Sequence, residues 1–177
     1  MSAINIEIKA RCFHPEKVEA FLLNAGARFM GTDHQKDTYF TVPTGRLKLR
    51  QGSIENNLIF YQRADGEGPK TSEFFLSPVQ SGATLEALLM AALPVKVIVE
   101  KKRKIFFINH TKFHIDEVPS LGAFVEIEVS NLHHPNLSRE SMEADCAYYM
   151  QALEIEAEHL IANSYSDMLL SQNASTI

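Results

Sequence analysis

The chain has 177 residues, of which 45% are hydrophobic and 22% are charged, and its formal net charge is −5 at pH 7. This length and composition are typical of a globular domain with a substantial core, and they exclude a disordered chain. The negative net charge argues against a general nucleic-acid-binding protein, because such domains are usually basic.

Strand patterns outnumber helix patterns along the chain, and turn signals such as Pro43-Thr44-Gly45 and Asp65-Gly66 separate them. In chain order the predicted elements are strand Asn5–Cys12, helix Pro15–Ala25, strands Gln35–Val42, Arg46–Gln51, Leu58–Ala64 and Thr71–Leu76, helix Thr84–Leu93, strands Val95–Ile108, Lys112–Val118 and Phe124–Ser130, helix Ser138–Leu153 and a short helix over Ile155–Ala162. The helices do not alternate strictly with the strands, so the pattern predicts an α+β protein whose antiparallel sheet curls or closes. We expect a single domain over residues 1–177, with its core within residues 4–170.

Targeting signals and cysteine spacing indicate where in the cell the protein is expected. The first residues show no basic region followed by an apolar run, and the longest apolar stretch, residues 87–95, is too short to span a bilayer. The two cysteines, Cys12 and Cys146, lack metal-ligand spacing. Such cysteines are typical of reduced thiols, so we expect a cytoplasmic protein with no membrane and no nucleic-acid partner.

The first predicted strand has one apolar face and one charged face. Four apolar residues alternate with four polar ones, in the order Ile4, Asn5, Ile6, Glu7, Ile8, Lys9, Ala10 and Arg11. Alternate residues of a strand point to opposite sides of the sheet. Taken alone, the pattern is typical of an edge strand with a solvated outer side. Its recurrence on later strands indicates that the charged faces act together.

On several later strands, like charges lie two residues apart on one face. The bases of the charged faces are Lys9, Arg46, Lys48, Arg50, Arg63, Lys101 and Arg103, and one acidic strand contributes Glu126 and Glu128. Like charges in this arrangement repel, so we expect a bound ligand to offset the repulsion. If the sheet closes with these faces inward, cations and a carboxylate cluster line its interior, the reverse of the usual apolar interior of a small barrel.

The residue types on these faces indicate a phosphorylated substrate. Convergent lysines and arginines bind polyanions, and the planar fork of arginine suits phosphate. Nearby carboxylates suit hard divalent cations, and Mg²⁺ typically binds protein carboxylates together with substrate phosphates. The chain has no glycine-rich phosphate loop, so side chains must bind the phosphates.

Motifs on the charged strands resemble those of the CYTH superfamily, the triphosphate tunnel enzymes that include class IV adenylate cyclases and thiamine triphosphatases. The opening signature of that family is E-x-E-x-K, and here it reads Asn5-Ile6-Glu7-Ile8-Lys9. The later motifs follow in order: Gly45-Arg46-Leu47-Lys48-Leu49-Arg50, Tyr61-Gln62-Arg63, Lys101-Lys102-Arg103, His114-Ile115-Asp116 and Leu121-Gly122-Ala123-Phe124-Val125-Glu126-Ile127-Glu128. Each motif is weak alone, but their order and spacing are specific.

Two further segments, 35–40 and 164–170, look like the class IV cyclase branch. The resemblance implies a closed eight-stranded antiparallel barrel, a tunnel with a polar, charged interior flanked by helices. It also implies a homodimer that converts ATP to cyclic AMP and pyrophosphate with Mg²⁺ or Mn²⁺.

The resemblance also implies roles for individual side chains. Divalent metal would be held by Glu7, Asp116, Glu126 and Glu128. The triphosphate would be held by Lys9, Lys48, Arg50, Arg63, Lys101 and Arg103, of which Lys9, Arg63, Lys101 and Arg103 would be catalytic. Asn5 departs from the signature: its amide oxygen can ligate a cation but brings no charge, so metal affinity should fall.

Two alternative functions stay open at this point. A thiamine triphosphatase or inorganic triphosphatase would use the same triphosphate-binding residues, with water as the nucleophile. A non-catalytic module that binds nucleotides or polyphosphate would also keep them, with Asn5 marking the loss of catalysis. Nucleoside recognition separates the first alternative from a cyclase, and the effect of Asn5→Glu on metal-dependent turnover tests the second.

Overall fold

The structure, a computed structural model, describes residues 3–63 and 70–174 apart from the side chain of Arg63. Its elements are β1 (Ala3–Arg11), α1 (Pro15–Asn24), β2 (Arg28–Phe40), β3 (Arg46–Gln51), β4 (Asn57–Arg63), β5 (Lys70–Pro78), α2 (Gly82–Ala92), β6 (Val95–Ile108), β7 (Thr111–Val118), β8 (Gly122–Ser130), α3 (Arg139–Ala152) and α4 (Tyr165–Ala174), with a short 3-10 turn at Ala157–His159. The predicted turn at Asp65-Gly66 lies outside the described residues.

The eight strands close into an antiparallel barrel in the order β1-β5-β4-β3-β2-β6-β7-β8. The predicted α+β class and the closed eight-stranded antiparallel barrel are therefore confirmed. Strand β2 begins at Arg28 rather than at Gln35, because it pairs with the long β6 as far as Arg28 opposite Phe107. This pairing overrides a weak local pattern. In the described part of the chain, no helix has both the length and the apolar character needed to cross a membrane.

The main hydrophobic core lies outside the barrel wall, beneath α1 and α3. Its fully or nearly buried members include Ile6, Ile8, Leu22, Phe106, Phe113, Ile127 and Met142. Helix α3 begins where Ser138 accepts a hydrogen bond from the backbone N–H of Ser141. Both cysteines are buried free thiols. Since the apolar strand faces pack against helices, the charged faces of the same strands point into the barrel.

The segment before α4 closes one end of the barrel. Leu160 forms a β-bridge with Ala10, and the backbone N–H of Ile161 donates to the carbonyl of Lys9 at 2.8 Å. The predicted helix over Ile155–Ala162 is wrong except for its 3-10 turn, because these backbone contacts hold Leu160 and Ile161 extended against the end of β1. The cavity reaches solvent at the opposite end, where its lining residue Leu76 is 38% exposed.

Candidate functional site

Charged side chains from six strands and from the β3–β4 loop line the cavity inside the barrel. The cations are Lys9, Lys48, Arg50, Lys101, Arg103 and Lys112, and the carboxylates are Glu7, Asp37, Glu55, Glu126 and Glu128. Five of the six predicted triphosphate ligands and three of the four predicted metal ligands therefore line one cavity. The side chain of the sixth cation, Arg63, lies outside the described residues.

Asp37 on β2 holds three cations in place. Its oxygens accept from Nε and Nη2 of Arg50 at 2.8 and 2.9 Å, from Nζ of Lys101 at 2.8 Å and from Nζ of Lys48 at 3.2 Å. Burial raises the pKa of Asp37, but Arg50, Lys101 and Lys48 together hold it well below its usual range. Asp37 is therefore an ionised hub that fixes these cations before any ligand binds.

Arg103 has a similar anchor at the closed end of the barrel. It forms a bidentate pair with Asp116, and its Nη2 also reaches Glu126 at 2.6 Å. Tyr165 donates its hydroxyl to Asp116 at 2.8 Å. Both oxygens of Asp116 thus already accept hydrogen bonds, and Asp116 lies behind Arg103 rather than on the cavity surface. Its contacts are those of a residue that positions Arg103.

Burial also sets the protonation of two groups around these anchors. The pKa of Lys101 falls to about 7 because burial, together with Arg50, Arg103 and Lys48, outweighs the attraction of Asp37. Burial and the neighbouring Arg103 lower the pKa of His114 to about 3. A neutral His114 donates from Nδ1 to Glu126, 3.0 Å away. Near neutral pH, Lys101 can therefore accept or release a proton, whereas His114 supplies a hydrogen bond.

Oxygen ligands suited to a divalent cation gather towards the open end. Glu7 on β1 lies opposite Glu128 on β8. Burial raises the pKa of Glu128, and the charges of Glu7, Glu55 and Glu126 raise it further against the opposing effect of Lys112. The Oδ1 atom of Asn5 is buried and has no hydrogen-bond partner among the described residues. An unsatisfied amide oxygen beside two crowded carboxylates fits a hard cation such as Mg²⁺ or Mn²⁺.

The predicted trio of Glu7, Glu126 and Glu128 does not converge on one point. Glu126 is instead engaged by Lys9 at 3.1 Å and by Arg103 and His114. Within the described ranges, a group of three acidic or histidine residues whose ligand atoms all lie within 4.8 Å of one another is found at Glu156, Glu158 and His159, on the protein surface. Asn5, Glu7 and Glu128 are accordingly the candidate metal ligands of the tunnel.

One wall of the cavity is apolar. Ile59 and Tyr61 on β4 lie opposite Leu76 and Phe74 on β5, and all four side chains line the cavity. The sequence did not predict this wall, because Ile59 and Phe74 lie in strands where apolar residues occupy both faces. In such strands the alternation of residues (strand parity) does not indicate which face points into the barrel. The cavity therefore offers a charged surface for phosphates and a facing surface for an aromatic or aliphatic group.

The model of the CYTH domain family matches residues 3–144, a span that includes every strand of the barrel. The chain belongs to the CYTH domain family. A search of curated proteins returned no match.

Several solved structures share this CYTH barrel. A protein from Pyrococcus horikoshii has a TM-score of 0.75 at 22% identity, over 92% of this chain and 98% of that chain. A candidate adenylate cyclase from Vibrio parahaemolyticus has a TM-score of 0.75 at 16% identity, over 94% and 97% of the two chains. A candidate adenylyl cyclase from Hippeastrum, with a dominant triphosphatase activity, has a TM-score of 0.62 at 11% identity, over 97% and 96%. At these identities, the similarity establishes the fold.

Three charged residues of the CYTH tunnel were not assigned a role from sequence. Asp37 is a single acidic residue among polar and aromatic neighbours, and its role in the tunnel follows only from the β2–β3 register that places it opposite Arg50. Lys112 could have been found, since it shares a strand face with His114 and Asp116. Glu55 could not, because it lies in the loop between β3 and β4, where the alternation of a strand does not apply.

Arg46 lies apart from the tunnel cations. Its Nη1 atom contacts Asp167 and Ser164 at 3.0 Å, at the start of α4. Arg46 therefore ties the C-terminal helix to the barrel, although it shares its strand face with Lys48 and Arg50.

Proposed function

We propose that this CYTH domain is a divalent-metal-dependent enzyme that converts ATP to cyclic AMP and pyrophosphate. The observation that carries the proposal is the set of six cations around one cavity, each on a barrel strand and several fixed in place by buried carboxylates. Such a set supplies the donors that a triphosphate needs, since lysine and arginine are the side chains that bind phosphate oxygens most strongly.

The cations are oriented before substrate arrives. Asp37 binds Nε and Nη2 of Arg50, and Asp116 binds Nε and Nη2 of Arg103. Each guanidinium is thereby held in a fixed plane with further N–H groups available to neighbours. Preorganised donors stabilise the charge that develops on phosphate oxygens without rearranging during the reaction. Lys9, which pairs with the same Glu126 as Arg103, and Lys101, which lies near Arg103, add further charge.

Asn5, Glu7 and Glu128 would hold the divalent cation, for which we propose Mg²⁺ or Mn²⁺. The bound cation would neutralise phosphate charge and polarise the phosphorus under attack. The ribose 3′-hydroxyl is the nucleophile that the cyclase reaction requires, and Lys101, protonated once a triphosphate is bound, would stabilise negative charge on the phosphates. The role of Asn5 predicts weaker metal binding than a carboxylate would give.

The apolar wall favours a nucleoside triphosphate over inorganic triphosphate. Ile59, Phe74 and Leu76 give a nucleoside a surface on which to pack, whereas bound inorganic triphosphate would leave that apolar surface exposed to water. The name of the similar protein from Vibrio parahaemolyticus, a candidate adenylate cyclase, supports the same choice.

Triphosphate hydrolysis is the second candidate. The similar protein from Hippeastrum has a dominant triphosphatase activity, and the cations of the tunnel serve both reactions. Water would replace the ribose hydroxyl as nucleophile, and thiamine triphosphate or inorganic triphosphate would be the substrate.

Product identification separates the two reactions. Purified protein is incubated with ATP, thiamine triphosphate or inorganic triphosphate and Mn²⁺ or Mg²⁺, and the products are separated by chromatography. Cyclic AMP with pyrophosphate supports the cyclase; ADP or orthophosphate without cyclic AMP refutes it in favour of hydrolysis. The matched variants are Glu128→Gln in the tunnel, which should abolish metal-dependent turnover, and Glu117→Gln on the exposed face of β7, which should not.

A further inference from the structure

Glu55 differs from the other tunnel carboxylates because a loop, rather than a strand, carries it. Its Oε2 atom accepts from Nη1 of Arg50 at 2.9 Å and from Nε2 of Gln35 at 3.0 Å, and its Oε1 atom contacts Nζ of Lys112. The Glu55 side chain is 18% exposed. Glu55 therefore reaches into the cavity from the β3–β4 loop and joins two of its cations.

Asp33 on β2 holds this loop in a defined position. It accepts from the backbone N–H groups of Ile54 and Glu55 at 2.9 and 3.0 Å, and from the hydroxyl of Ser53 at 3.0 Å. The loop packs so closely that a Cβ atom on Gly52 would lie 2.6 and 2.7 Å from the carboxylate oxygens of Asp33. Asp33 thus positions Glu55 without entering the cavity itself.

Glu55 occupies a hydrogen-bond donor of Arg50. Asp37 binds Nε and Nη2 of this guanidinium, and Glu55 binds the remaining Nη1 atom. The Asp37 contact orients the arginine, whereas the Glu55 contact covers the donor that a ligand would use. Lys112 is covered in the same way, since its Nζ pairs with Glu55. A carboxylate and a phosphate oxygen compete for the same donors.

We propose that Glu55 is a specificity-determining residue: an internal anion that occupies the Arg50–Lys112 position until a ligand with several phosphates displaces it. The proposal rests on the proposed binding of triphosphates in this tunnel. An anion attached to the protein acts at high effective concentration, so it outcompetes an orthophosphate that reaches only these two cations. A triphosphate also contacts the deeper cations Lys101 and Arg103, and these contacts offset the displacement of Glu55.

The test is calorimetric titration of metal-free protein with inorganic triphosphate and with orthophosphate, at constant pH and ionic strength. Glu55→Gln preserves the size of the side chain and removes its charge. It should tighten triphosphate binding about tenfold, the change that corresponds to one charge-assisted hydrogen bond, and it should make orthophosphate binding measurable. Glu73→Gln, on the exposed face of β5, removes the same charge and should change neither affinity.

Gly52→Ala is a second variant that keeps Glu55 itself. Its methyl group should push the loop away from Asp33 and so weaken the hold of Glu55 on Arg50, which should give a smaller gain in triphosphate affinity. A folding defect would lower affinity, so a gain is the diagnostic result. If the wild type binds triphosphate and Glu55→Gln binds it equally or more weakly, the role of Glu55 is refuted and the proposed function is not. If neither binds triphosphate, the proposed function is refuted with it.

Discussion

Replacing Asp37 with asparagine removes the charge that three tunnel cations share. Asp37 is 1% exposed and contacts Arg50, Lys101 and Lys48. Removing one partner of a buried ion pair leaves an uncompensated buried charge, which costs about 3–5 kcal/mol of folding free energy. The asparagine keeps the shape and one acceptor oxygen, so the cost arises from charge rather than from a cavity.

A bound triphosphate should recover much of this loss, because its oxygens would supply negative charge to the same cations. Asp37→Asn should therefore lower the free energy of unfolding, and saturating triphosphate should stabilise the variant more than it stabilises the wild type. Urea denaturation with and without inorganic triphosphate measures both quantities. Glu117→Gln on the outer face of β7 is the control. The reasoning is refuted if Asp37→Asn unfolds at the urea concentration of the wild type, or if triphosphate stabilises both proteins equally.

Three further predictions concern the tunnel. Bound triphosphate should raise the pKa of Lys101 above its ligand-free value of about 7. Binding should therefore take up a proton, and affinity for triphosphate should fall as the pH rises above 7. Calorimetric titration in buffers of different ionisation enthalpy measures the proton uptake, which Lys101→Met should abolish. Asn5→Glu should lower the Mn²⁺ concentration that gives half-maximal turnover, because it adds a charged ligand; an unchanged metal dependence would contradict the assigned metal position. Phe74→Ala should weaken ATP binding by about 1–2 kcal/mol through lost apolar contact and leave inorganic triphosphate binding unchanged. Phe75→Ala, at the adjacent exposed position, should affect neither ligand.

Strand parity was sufficient to predict most of the tunnel. Because a closed barrel gives each strand one inner face, the alternation that groups Lys48 with Arg50 and Lys101 with Arg103 also predicts that these cations meet. The apolar outer faces agree, since Ile6 and Ile8 pack beneath the helices. The sequence could therefore predict the fold class and the cation set from one local rule.

Parity could not predict contacts that depend on register or on loops. The pairing of Asp37 with Arg50 requires the β2–β3 register, and the position of Glu55 requires the fold of a loop seated on Asp33. Parity also treats Arg46 like its strand neighbours, although Arg46 contacts Asp167 on α4. The extended path of Leu160 likewise depends on a contact with Ala10, distant in the chain, so its local helical pattern was misleading.

The most direct test of triphosphate binding inside the barrel compares two adjacent lysines. Lys101 is buried in the tunnel, whereas Lys102 is exposed on the outer face of β6. The wild type, Lys101→Met and Lys102→Met are each titrated with inorganic triphosphate at about pH 6.5, below the pKa of about 7 for Lys101. The two variants carry the same net charge, so the comparison isolates the position of the lysine. We predict that Lys101→Met weakens binding about tenfold or more and that Lys102→Met matches the wild type. Equal losses in both variants, or no loss in Lys101→Met, would contradict binding in the tunnel.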